Sequence, residues 1–112
     1  MSGKFEIYQS EKNQEYYFRL KASNGENILS SQGYNQKNGA QTGIESVVTN
    51  SPDPDNFEKI TAANGTYYFN LKANNGQVIG TSQMYKSASG RNNGIEAVGR
   101  AAQDAVIEDL SK

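Results

Sequence analysis

The sequence predicts an α+β protein built by tandem duplication, each copy contributing three short strands and then one helix. Three observations lead there. First, Tyr16-Tyr17-Phe18-Arg19-Leu20-Lys21-Ala22 returns 51 residues later as Tyr67-Tyr68-Phe69-Asn70-Leu71-Lys72-Ala73. The match runs on without a gap through Asn24-Gly25 and Asn75-Gly76, Ser31-Gln32 and Ser82-Gln83, Tyr34 and Tyr85, to Gly43-Ile44-Glu45 and Gly94-Ile95-Glu96. Second, each copy carries a segment of period-two alternation and then apolar residues at helical spacing. Third, Asn-Gly pairs stand at 24–25, 64–65 and 75–76, where a hairpin needs residues that accept positive φ. Two copies alone fit a pseudo-twofold pair better than a solenoid.

Residues 5–8 read as a first strand. Residues 16–22 alternate cleanly: Phe18, Leu20 and Ala22 point one way, Tyr17, Arg19 and Lys21 the other, as in a half-buried antiparallel strand. Residues 12–14 turn the first hairpin of copy one, and Asn64-Gly65 that of copy two. Phe5-Glu6 matches Phe57-Glu58 once one residue is dropped from the first hairpin. Residues 28–31 and 78–82 are third strands. Asn24-Gly25 and Asn75-Gly76 are expected to form type I′ turns. Ser87 is the expected cap of the second helix and Asn35 that of the first. Ala40, Ile44, Val47 and Val48 share one helical face, as do Ile95, Val98 and Ala102. Asn50-Ser51-Pro52 stops the first helix, and residues 105–110, with β-branched Val106 and Ile107, read as a final strand.

The chain has 112 residues, 35% hydrophobic, with seven Tyr, four Phe and no Trp. A single copy is too small to bury enough surface by itself. Residues 1–112 are therefore expected to form one domain made of repeats 4–53 and 55–110. Eleven basic and twelve acidic side chains leave a formal charge of −1, without the basic excess of a general nucleic-acid binder. The absence of Cys and His excludes disulfides, thiol nucleophiles, Ser-His-Asp triads and Cys- or His-based metal sites. No enzyme activity, cofactor or metal is expected. No segment approaches the roughly 18 apolar residues of a membrane span, and Met1-Ser2-Gly3-Lys4 lacks the apolar core of an export signal. A cytoplasmic monomer with no membrane contact is expected, the internal repeat standing in for a dimer. Asn64-Gly65-Thr66 spells a glycosylation acceptor but reads as a turn.

The Tyr-Tyr-Phe-Arg-Leu-Lys-Ala-Ser-Asn-Gly run, the Ser-Gln-x-Tyr that follows it, and Asn93-Gly94-Ile95-Glu96-Ala97-Val98 resemble the YegP-like family of small bacterial proteins. The resemblance spans nearly the whole chain. It implies a fourth strand per unit, one continuous sheet shared by both units, and exchange of their last strands. It implies no catalytic residues and no established activity. The two copies differ at Arg19/Asn70 and Leu29/Gly80. The expected fold is thus one antiparallel sheet with both helices on one face.

Gly39-x-x-x-Gly43 and Gly90-x-x-x-Gly94 each cost helix stability, roughly 1 kcal/mol per Gly relative to Ala. Their repetition predicts close packing of helix on sheet or on the other helix, with room for Ala but not Leu. The intervening Arg91-Asn92-Asn93 lacks the Gly-Lys-Ser/Thr ending of a phosphate loop. Glu45 and Glu96 read as solvated helix residues. Ser31-Gln32 and Ser82-Gln83 are expected to satisfy backbone groups in the loops. That leaves the sheet face away from Phe18 and Leu20. Tyr17, Arg19, Lys21, Tyr68 and Lys72 should share it, mixing aromatic and cationic groups as contact surfaces do. The leading expectation is a non-catalytic module that binds through this face a partner the sequence does not identify, a protein or a single-stranded nucleic acid. A nucleic-acid binder, with bases stacked on the Tyr rings, is the second reading; a structural or stress-associated accessory role is the third.

Overall fold

The computed structural model describes residues 3–111; Met1 and Ser2 of the N-terminal stretch discussed above, and Lys112, lie outside the described residues. Its elements are β1 (Lys4–Gln9), β2 (Tyr16–Lys21), β3 (Asn27–Ser31), α1 (Lys37–Asn50), a 3-10 turn (Pro54–Asn56), β4 (Phe57–Thr61), β5 (Tyr67–Lys72), β6 (Val78–Thr81), α2 (Ala88–Gln103) and β7 (Val106–Asp109). The seven strands form one sheet in the order β4-β5-β6-β3-β2-β1-β7. β3 and β6 meet at its centre, with Ser30 opposite Thr81. These two are repeat mates, so the pseudo-twofold axis passes beside them.

Alternation puts Phe5, Ile7, Phe18 and Leu20 of copy one, and Phe57, Phe69 and Leu71 of copy two, on the same side of the sheet. There they join Ala40, Ile44 and Val47 of α1 and Ile95, Val98, Ala101 and Ala102 of α2 in a single buried cluster. Each helix packs on strands of both copies. One core therefore serves both repeats, and removing either copy would expose the other's share of it. Near the axis the repeat cannot be symmetric. A Cβ on Gly80 would come within 2.9 Å of the Leu29 side chain. One leucine occupies the space, and its mate has to be glycine.

Five details differ from the sequence expectation. The sheet is mixed: β7 lies parallel to β1, while every other pairing is antiparallel. Strand exchange runs one way. Copy two sends β7 across to copy one, but the chain after α1 passes through the 3-10 turn straight into β4. No residues are left there for a reciprocal strand.

The Asn-Gly turns are not type I′. Gly25, Gly65 and Gly76 have φ between 85° and 87°, but Asn24, Asn64 and Asn75 do not have positive φ. Gly25 N–H bonds to Ala22 C=O, and Ala22 N–H to Glu26 C=O, as in a type I turn closed by a glycine bulge. Only Gly needs the left-handed region; Asn24 instead accepts from Glu26 N–H through its side chain, at 3.0 Å.

Ser87 does cap α2, accepting from Gly90 N–H at 3.0 Å. Asn35 does not cap α1: Gln36 holds that position without a side-chain bond. Finally, the helix glycines pack more tightly than expected. A Cβ on Gly43 would stand 2.6 Å from the Tyr34 hydroxyl and 2.7 Å from Phe18, and one on Gly94 2.6 Å from Tyr85 Cζ. Even alanine requires movement there. Each tyrosine lies against its glycines and stacks on the core phenylalanine of β2 or β5, with ring centroids 6.3 Å apart in both copies.

Candidate functional site

Among the described residues no other element covers the face of the sheet opposite the helices. Register builds a row across it from edge to edge: Glu58, Asn70, Thr81, Ser30, Arg19, Glu6 and Glu108. The centre of the row is small and neutral, and carboxylates stand toward both ends. Because β2 and β5 run in opposite directions, Tyr17 and Tyr68 fall on opposite sides of the row. Lys21 and Lys72 do likewise. The five side chains picked from the sequence therefore share one face but form two separated groups.

In the copy-one group, Tyr8 and Tyr17 stack with centroids 5.6 Å apart and planes 16° from parallel. The Arg19 guanidinium carbon lies 4.6 Å from the Tyr8 ring centre. Arg19 Nε donates to Glu6 Oε1 at 2.7 Å, and Lys21 Nζ and Lys4 Nζ lie 3.5 and 3.7 Å from the same carboxylate. The Glu6 side chain is only 8% exposed. Three cations surround a carboxylate with little access to water, and the Arg19 hydrogen bond holds the Glu6 carboxyl below the usual range. The Tyr17 hydroxyl accepts from Asn13 Nδ2 at 3.0 Å, which fixes its ring further.

The copy-two group is thinner. Asn70, standing where Arg19 stands in copy one, donates to Glu58 at 3.3 Å and accepts from the Thr81 hydroxyl at 2.7 Å. Lys72 Nζ lies 3.3 Å from Glu58 Oε2. Ile60 faces Tyr68 where Tyr8 faces Tyr17, so the stacked pair is absent. The Asn70 and Lys72 hydrogen bonds lower the Glu58 carboxyl.

Sequence reading missed Tyr8, Glu6 and Glu58. The signal was present, since Glu6 alternates with Phe5 and Ile7 and must face away from the core. What was not legible was that antiparallel register sets it directly opposite Arg19.

The comparisons place this architecture. A model of the family described as "Domain of unknown function (DUF1508)" matches residues 11–58 and again 62–109. The chain belongs to this family. Among DUF1508 relatives, the UPF0339 protein YegP of Escherichia coli K12 is 49% identical over 109 residues, covering 97% of this chain and 98% of the relative. The UPF0339 protein encoded in the ptx operon 5′ region of Stutzerimonas stutzeri is 48% identical, covering 98% of each. The solution NMR structure of a UPF0339 protein from Shewanella oneidensis superposes with a TM-score of 0.92 at 50% identity, covering 99% of this chain and 93% of that one. That of E. coli YegP gives 0.93 at 46%, covering 99% and 95%.

The two DUF1508 copies also enclose a pair of clefts related by the pseudo-twofold. One, of about 190 Å³, lies between Tyr34, Gly39 and Gly43 of copy one and the turn at Ala73, Asn75 and Gln77 of copy two. Its mate, of about 360 Å³, lies between Tyr85, Gly90 and Gly94 and the turn at Ala22, Asn24 and Glu26. Burial pushes both tyrosine hydroxyls up, and the second cleft is also lined by the charged Glu26 and Arg100. The serines behave as expected: Ser31 Oγ accepts from Phe18 N–H at 2.8 Å and donates to Gln32 C=O, and Ser82 repeats this with Phe69 and Gln83. Glu45 and Glu96 are exposed on the helices. Among the described residues no cluster of acidic side chains could hold a metal, and no helix is long and apolar enough to cross a membrane.

Proposed function

We propose that the protein is a non-catalytic cytoplasmic module, one chain standing in for a dimer, that binds a protein partner through the open sheet face. Tyr17, Arg19, Lys21, Tyr68 and Lys72 make the contact, with Tyr8 added from the geometry. The observation that supports this reading is the Tyr8–Tyr17 stack under Arg19. Tyr and Arg dominate interface energetics because they offer large area and hydrogen bonds at low ordering cost, and here their rotamers are held in advance by the Glu6 carboxylate. The same ion pairing weighs against the nucleic-acid reading. Arg19, Lys21 and Lys72 each already have a carboxylate within 3.5 Å, so phosphate binding would release few counterions without breaking these pairs.

The test is photo-crosslinking in bacterial cells from positions 17 and 68, followed by binding of the purified captured partner. Tyr17→Ala or Arg19→Ala should weaken that binding by about tenfold or more, while Glu45→Lys and Glu96→Lys on the helices leave it unchanged. Capture of RNA, or a partner sensitive to the helix variants and indifferent to the sheet variants, would overturn the reading.

A further inference from the structure

We propose a second, independent site: the outer edge of β4 and the groove beneath it accept an extended segment of a partner protein that reads apolar, neutral, acidic, added parallel to β4. The molecule itself shows how such a segment binds. On copy one, β7 lies along the outer edge of β1, with Phe5 beside Ile107 and Ile7 beside Asp109. Gly3 C=O accepts from Val106 N–H and Ile7 C=O from Leu110 N–H. β7 buries little, since Val106 and Ile107 remain 60% and 59% exposed. Backbone bonds and two ion pairs hold it, Lys37 to Asp109 at 2.9 Å and Lys4 to Glu108 at 3.1 Å. On copy two, β4 ends the sheet. By the same alternation Phe57 C=O and the backbone groups of Lys59 and Thr61 turn outward, Phe57 N–H being taken by Pro54 C=O, and among the described residues no strand meets them.

Two features of that edge specify the occupant. A groove with hollows of about 360 and 510 Å³ runs between the edge and α2; Pro54, Phe57, Ile95 and Glu96 line both, Arg100 the smaller, and Asp55 and Lys59 the larger. It lies beside Phe57, the mate of Phe5, where Ile107 lies on copy one. Lys59 replaces Ile7, the residue beside Asp109; it is exposed and makes no ion pair among the described residues. A strand placed here with an apolar residue at the first position and an acid two residues on fills the groove and sets that acid beside Lys59, while Asp55, Glu96 and Glu58 disfavour further acids. An exposed cation also deters uncharged strands, as edge lysines do. β7 of a second copy is not free for this, being held on its own β1 by the ion pairs above.

The probe is the free peptide Ala-Val-Ile-Gln-Asp-Leu-Ser, the chain's own 105–111 sequence with glutamine for the glutamate that would stand beside Glu58, titrated into the isotope-labelled full chain. Shifts should appear at Phe57–Thr61, Ile95 and Gly99, with slowed exchange of the Lys59 amide. Lys59→Glu, or lysine in place of the peptide's aspartate, should each weaken binding at least about tenfold. Thr61→Pro should do the same by removing an outward N–H, proline being tolerated on an edge. Silence up to millimolar peptide overturns the proposal. So do shifts at Lys4–Gln9, which mean displacement of β7, and shifts confined to Tyr17 and Arg19, which belong to the open face. If residues 57–61 shift when the protein alone is concentrated, a second copy occupies the edge and the proposal is wrong.

Discussion

β1 and β4 occupy equivalent places in the two copies and have opposite fates. β1 lies inside the sheet, flanked by β2 and β7, and its Ile7 is 1% exposed. β4 is an edge, and the corresponding residue is an exposed lysine. The open face diverges in the same sense: a buried Glu6 gathers three cations in copy one, while an exposed Glu58 has one lysine and an amide in copy two. Tandem fusion explains the difference. α2 is followed by a strand that crosses to the other copy, whereas α1 is joined through the 3-10 turn directly to β4, so one copy is closed and the other open.

The largest effect should come from separating the copies. Neither 1–54 nor 55–112 should unfold cooperatively as a monomer near the full-length temperature, since each would bare half a shared core. They should not fail alike. Residues 55–112 retain β7 and can give it to the β4 of a second copy, so this half should form a dimer by sedimentation; 1–54 has no such strand. Two monomers melting like the parent would break the shared-core comparison.

Next come the helix glycines. Gly43→Leu and Gly94→Leu should each cost about 3 kcal/mol in chemical denaturation, the upper part of the usual range for overpacking. Alanine separates the copies. At Gly43 it presses on Phe18, which is fully buried, whereas at Gly94 the close atoms all belong to half-buried Tyr85. Gly43→Ala should therefore destabilise more than Gly94→Ala. Equal tolerance of leucine and alanine at both would mean the helices ride higher than described.

The smallest effect is electrostatic. Glu6→Gln should lower the thermal midpoint at neutral pH more than Glu58→Gln, whose exposed pairs contribute little. The Glu6 carboxyl is lowered in the fold. Its contribution is thus intact above the unfolded value of about 4.3 and is lost as pH falls through the lower folded value. Glu6→Gln should flatten the acid side of the stability curve; an unchanged profile would show that the three cations do not hold this carboxylate.

The face assignments were legible because period-two alternation is local. Once Phe18 and Leu20 are inside, Tyr17, Arg19 and Lys21 must be outside. The Glu6 partnership was not, since it depends on which strand lies beside β2 and in what register. The type I′ expectation failed for a related reason: Asn-Gly suits both turn types, and hydrogen bonding across the hairpin chooses between them.

The sequence by itself determined that the chain is duplicated, where its strands and helices lie, which residues form the core, and that it lacks His and Cys chemistry. These follow from composition and short-range periodicity. Tertiary structure alone decided that β7 joins β1 in parallel, that β4 is left open, and that Leu29 fills the axis so that Gly80 must stay bare. The first and last are contacts between residues about 50 or more apart in the chain, and the open β4 is the other side of the first; two similar halves compete for one space and no local pattern records the outcome.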